Sequence, residues 1–226
     1  MTSDVSQKLG VLERPMLVAD RLACRRNREL LFSGLSFSIY PGQVVWLRGQ
    51  NGRGKTSLMR LLVGLSAPDE GTLTWRGSDG GFQPVQSLGR QFVYVGHSNG
   101  LKDDLTVTES LGFLASLHGQ DDGPDSLGSA LRKLGLQDRA KSAVRTLSQG
   151  QRRRVAIARL ALERDPLLWI LDEPFDALDP AGVDVVNSLI LDHVARQGSV
   201  LLTSHVPLSL PLARVTHVEL HRDEAA

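Results

Sequence analysis

Eight residues constrain this chain more than any others: GQNGRGKT, Gly49 to Thr56. They fit the pattern G-x-x-x-x-G-K-[ST]. They also lie between a short apolar strand pattern, VVWLRG (44–49), and a run with helical apolar spacing, KTSLMRLLVGL (55–65). A glycine-rich turn from strand to helix lets backbone amides approach an anion that side chains would block. The helix N-terminus adds its own unpaired amides and its dipole. The pattern therefore predicts a phosphate cradle built from Gly49, Gln50, Asn51, Gly52, Arg53, Gly54, Lys55, Thr56 and Ser57. Lys55 would reach the β- and γ-phosphates of a nucleotide such as ATP, and the Thr56 hydroxyl would ligate Mg²⁺.

The rest of the chain supplies a matching architecture. MLVADRLAC and LSFSIY read as strands, the second ended by Pro41-Gly42, and APDEG turns the chain into the strand TLTWRG. Residues 78–90 read as a Gly/Gln/Ser-rich loop before the strand QFVYVG. From 104 to 163 the pattern turns helical, opening on Thr106 and Glu109 at capping-box spacing. Strand patterns return at LLWIL, at SVLLTS (199–204) and near 214–220, with a helix over 180–196. Strands alternating with helices predict an α/β fold with a parallel sheet, its ligand at the strand C-terminal ends.

LLWILDEP (167–174) is the second half of the predicted site. An apolar strand delivers Asp172 and Glu173 to the ligand edge of the sheet. Asp172 would hold Mg²⁺, commonly through water. Glu173 could orient and deprotonate an attacking water.

TLSQGQRRR (146–154) poses a separate problem. Ser148 suits a helix N-cap, yet the first turn that follows carries Arg152, Arg153 and Arg154 where the dipole favours a carboxylate. The helix start therefore expects an anion that the chain does not supply. A plainer account of the three arginines is a solvated basic helix face.

With the phosphate loop, LSQGQ and LDEP in that order, the chain resembles the ATP-binding domains of ABC transporters over about residues 16 to 220. The resemblance implies a P-loop NTPase of ABC type: one nucleotide-binding domain over 16–224 after a polar lead-in, 1–15. A RecA-like core and an N-terminal antiparallel β subdomain would occupy 16–95 and 164–224, around a mixed or parallel sheet. An inserted helical subdomain of about 96–163 would carry the signature. The resemblance also places Ser148, Gly150 and Gln151 in the signature loop, Asp179 in the D-loop, and His205 at the switch histidine. It implies two copies paired head to tail, so the anion missing from the signature helix is the γ-phosphate bound by the second copy.

Within that family LFSGLSF, YVGHSNGLKDDLT, GQRRRVAIARL and LWILDEPFDALD resemble the ATP-binding subunits of bacterial haem exporters used in cytochrome c maturation. Gly96-His97 and Phe175 are part of that likeness. It implies a peripheral subunit at the cytoplasmic face of the inner membrane, joined to a transmembrane permease and binding no haem itself. Another ABC transporter, for lipoprotein release or a small solute, is the alternative.

Two positions depart from the general family pattern. Arg26 stands where an aromatic residue usually stacks on adenine, and a guanidinium can stack on a base or stay solvated. His97 replaces a glutamine near the metal and attacking water, where neutral imidazole offers a donor and an acceptor. It could serve there or face the membrane partner.

Composition excludes other classes. A net charge of +1 disfavours a nucleic-acid-binding surface. Residues 65–145 hold no coiled-coil arms of the kind a ribosome-acting ABC protein needs, and a small-molecule kinase would lack LSQGQ and His205. Cys24 is the one cysteine, so no intrachain disulfide forms. The first ten residues have no apolar core and read as no secretory signal. No apolar run approaches the roughly 18 residues that span a bilayer.

Overall fold

The computed structural model describes residues 14–27, 29–76, 81–84, 92–165, 168–208 and 215–220; most of the lead-in lies outside them. Two sheets form the frame. The first is antiparallel, with order β2-β1-β4-β5, from β1 (Leu17–Arg26), β2 (Glu29–Ile39), β4 (Glu70–Arg76) and β5 (Phe82–Pro84). The second has order β6-β7-β8-β3-β9 and every neighbouring pair is parallel. Its strands are β3 (Val44–Arg48), β6 (Phe92–Val95), β7 (Leu168–Leu171), β8 (Ser199–Leu202) and β9 (Val215–Glu219).

Two stretches differ from their sequence patterns. β2 starts at Glu29, well before LSFSIY, and pairs with β1 from Arg26↔Glu29 onward. β5 lies inside the expected loop and pairs with β4. Cross-strand hydrogen bonding supplies both, and local composition carries no trace of it.

The parallel sheet is buried on both faces. Trp169, Leu171, Val200 and Leu202 join one apolar cluster, while Leu168, Ile170 and Leu201 join the other. Successive strand side chains point to opposite faces, so a strand covered on both sides must be apolar throughout. That is why LLWIL alternates with nothing polar. α1 (Lys55–Leu62) buries Leu58, Met59, Leu61 and Leu62 against the second cluster. α5 (Pro180–Ala195) covers the first, where its His193 ring stacks on Trp169 with centroids 3.8 Å apart.

The remaining helices are α2 (Val107–His118), α3 (Pro124–Lys133) and α4 (Gln149–Ala158). α2 opens on a complete capping box: Thr106 Oγ1 accepts the Glu109 amide at 3.2 Å, and Glu109 Oε2 accepts the Thr106 amide at 2.8 Å. Leu111, Leu131 and Val155, one from each helix, belong to the same cluster as the sheet residues Val93 and Trp169. Among the described residues no helix is long and apolar enough to cross a membrane.

This packing separates two leucines on α2. Leu111 is fully buried, whereas Leu117 is 60% exposed. Leu111→Ala should cost about 2–5 kcal/mol in urea denaturation, while Leu117→Ala should stay within about 0.5 kcal/mol. Equal losses at the two positions would contradict the packing described.

Candidate active site

The phosphate loop leaves β3 at Gly49 and re-enters regular structure at Gly54, which N-caps α1. Gly49, Gly52 and Gly54 take φ of 147°, 80° and 89°, the region open to glycine. Gly54 is also fixed by space, because a Cβ there would meet Leu31 Cβ at 3.0 Å and the Phe32 ring at 3.2 Å. The loop thus rests on the antiparallel sheet. α1 has no side-chain cap and no acid in its first turn, so its leading amides remain for an external acceptor. Lys55 Nζ donates to the carbonyl of Gly49 at 2.7 Å, and lies 3.4 Å from both the Gln50 carbonyl and Asn51 Oδ1. Its cation is held inside the curve of the loop.

The end of β7 brings two carboxylates opposite that loop. Asp172 and Glu173 are 3% and 8% exposed, and burying such groups requires hydrogen bonds. Thr56 Oγ1 donates to Asp172 Oδ2 at 2.9 Å, and Thr203 Oγ1 donates to Asp172 Oδ1 at 3.0 Å. The Thr203 hydroxyl also accepts the Glu173 amide at 2.8 Å. Glu173 sits at φ 50°, a conformation uncommon for a side chain of its size. Its Oε2 accepts the His205 amide at 3.0 Å, and its Oε1 lies 3.5 Å from His205 Nε2.

These groups line one open cleft of about 530 Å³. Asn51, Gly52, Gly54, Lys55, Thr56 and Ser57 form one wall; Asp172, Glu173, His97 and His205 face it. Arg26 lines the cleft too, from the end of β1, together with Asn27, Glu29 and Leu31. The side chains of Gln50 and Arg53 do not line it, and they contact each other at 3.4 Å. Ser148, Gly150, Gln151 and Asp179 are also elsewhere. Ser148 caps α4, accepting the Gln151 amide at 3.2 Å and donating its own amide to Gln151 Oε1 at 3.0 Å. Gly150 packs so closely that a Cβ would lie 2.5 Å from the Ala177 carbonyl oxygen. Asp179 caps α5 through the Gly182 amide and pairs with Arg154, whose guanidinium holds its carboxyl below the usual carboxylate range.

Thr56 and Asp172 are hard oxygen donors already within hydrogen-bond distance, which fits a site for Mg²⁺. Among the described residues no group of three or more His, Cys, Asp or Glu is placed to hold a metal. Mg²⁺ here would need oxygens from a nucleotide and water as well.

Comparison with known proteins gives the family. The family model for the ABC transporter matches residues 32–176. The chain belongs to the ABC transporter family. The cytochrome c biogenesis ATP-binding export protein CcmA of Nitrosomonas europaea is 44% identical over 209 residues, covering 91% of this chain and 95% of that protein. The protein of the same name from Escherichia coli K12 is 42% identical over 215 residues, covering 93% and 99%. A solved ATP-binding subunit of an ABC transporter superposes with TM-score 0.73 at 28% identity, covering 84% of this chain and 80% of that one.

Two features of this ABC site were not visible as motifs. Thr203 read only as part of a strand, yet it joins both carboxylate residues. The arginines are the second, and their reading as a solvated basic face needs correction. Arg152 pairs with Asp103 at 2.7 Å and Arg154 with Asp179, while Arg153 is 4% exposed. None of the three is an uncommitted surface cation.

Thr203→Val preserves shape but leaves the Glu173 amide and Asp172 Oδ1 short of a partner. It should cost about 1–3 kcal/mol in denaturant titration, and Thr203→Ser should retain most of the stability. A valine variant as stable as the parent would remove the bridge from the account.

Proposed function

We propose that this chain is the ATP-hydrolysing subunit of a membrane ABC transporter, the haem exporter required for c-type cytochrome biogenesis. One observation carries the mechanistic part. The cleft holds a phosphate loop and two carboxylates, whereas the capped start of α4, with Ser148 and Gly150, lies outside it. The Gln149 and Gly150 amides in that first turn have no intrahelical acceptor. Each chain thus offers half of two sites. Two copies paired head to tail bring the α4 start of one to the γ-phosphate on the other.

In this reading the amides of 49–57 and the Lys55 ammonium bind the β- and γ-phosphates. Arg26 stacks on the base. Thr56 and Asp172 hold Mg²⁺, which supplies charge neutralisation at the phosphate oxygens when bound. Glu173 accepts a proton from the water that attacks the γ-phosphorus, the bond to the β-phosphate oxygen breaks, and ADP and phosphate leave. The contacts of His205 with both Glu173 oxygens orient that base. His97 is exposed on the rim, which suits a polar contact with water at the site. Asp179 acts indirectly, by fixing the turn that Gly150 packs against.

The names of the relatives, cytochrome c biogenesis ATP-binding export proteins, support the biogenesis pathway and an export role. The permease partner, the peripheral place at the cytoplasmic membrane face and haem as cargo follow from the family resemblance. The near-neutral charge argues against nucleic acid as a partner.

Glu173→Gln keeps the shape of the base and removes its proton affinity. It should hydrolyse Mg-ATP at least about 100-fold more slowly and accumulate an ATP-bound dimer in gel filtration. A variant that stays monomeric with ATP at low salt would break the composite-site reading. In the cell, Lys55→Ala should abolish covalently haem-stained c-type cytochromes while the protein is still made. Normal cytochrome levels in that strain would dismiss the haem pathway and leave another transporter.

A further inference from the structure

Arg153 is the least expected residue of the molecule, a cation at a core position. Its side chain is one turn into α4 and reaches two separate segments. Nη1 donates to the Gly96 carbonyl at 2.8 Å and to Asn99 Oδ1 at 3.1 Å. Nη2 donates to the carbonyls of Asp172 at 2.6 Å and Glu173 at 2.8 Å. One planar group thus joins the loop after β6, which carries His97, to the end of β7, which carries both carboxylates.

We propose that Arg153 is a positioning residue for hydrolysis, holding the 96–99 loop and the Asp172–Glu173 backbone as one unit with the helix whose start carries Ser148 and Gly150. The inference rests on the ATPase reading and adds to it a link, through the first turn of α4, between the helix start and the chain's own cleft. The end that meets the second copy's nucleotide is then rigidly connected to the carboxylates of the chain's own cleft.

Three considerations support the assignment. A buried cation is costly, and stability alone is served at least as well by an apolar side chain of similar volume. The four acceptors are neutral oxygens on two segments, so the bonds fix relative position rather than merely neutralise charge. Glu173 also needs fixing: at φ 50° its backbone is uncommon, and Thr203 and Arg153 hold it from its amide and its carbonyl. A shift of about 1 Å in a reacting group can slow catalysis about 100-fold. No hydrogen bond among the described residues joins Arg153 to Gly49–Thr56, so phosphate binding should not depend on it.

The test uses the full chain with Arg153→Lys and Arg153→Met, each checked by thermal melting. Lysine keeps the charge but is a point donor that cannot span both segments. Both variants should lose at least about tenfold in kcat. Binding of a fluorescent ATP analogue to the monomer should stay within about threefold of the parent, because the contacts of the phosphate loop are untouched. A folded variant with kcat near the parent's overturns the proposal, as does analogue affinity falling in step with kcat. Should neither variant fold, Asn99→Ala removes the one side-chain contact of the loop arm and leaves the bond to the Gly96 carbonyl. It should lower kcat with affinity unchanged, and an unchanged kcat overturns the proposal by itself. A parent chain without ATPase activity would instead remove the functional reading on which this rests.

Discussion

One buried carboxylate sets the geometry on which the site depends. Asp172 receives a hydroxyl from Thr56 at the start of α1 and another from Thr203 after β8. The first partner is 116 positions away in the chain, the second 31. A carboxylate taken out of water must be hydrogen-bonded, so the three segments cannot move apart without exposing or orphaning it. The phosphate loop, the acidic strand end and the following strand are thereby locked into one register. The same Thr203 hydroxyl takes the Glu173 amide and carries that register to the neighbouring residue.

The second organising feature is α4, which serves different surfaces at its start and one turn in. Its capped start is exposed, with Ser148 and Gln151 satisfying each other and Gly150 pressed against Ala177. One turn later Arg153 is buried behind the end of β7, where burial pushes its pKa down and Asp176, Asp172 and Glu173 push it back up. Arg152 and Arg154 anchor the flanks to Asp103 and Asp179. Three consecutive arginines thus grip three parts of the structure. The local positive potential is largely answered by the chain's own groups, so an anion arriving at the helix start would meet mainly backbone amides and the dipole.

Legible along the chain were the glycine-rich loop of 49–56, the apolar strand ending in Asp172 and Glu173, the capping box at Thr106, the N-cap at Ser148, and the alternation that makes a parallel sheet. Each is local: a glycine spacing, a hydrophobic period or a side chain bonding an amide three residues on. The early start of β2, the short β5, the bridge at Thr203 and the burial of Arg153 emerge only in the folded chain. β2 and β5 extend through hairpin pairing with the strand just before each, whereas the contacts of Thr203 and Arg153 come from segments distant in sequence. A hydroxyl in a strand, or an arginine beside two others, carries no mark of the partner that folding brings to it.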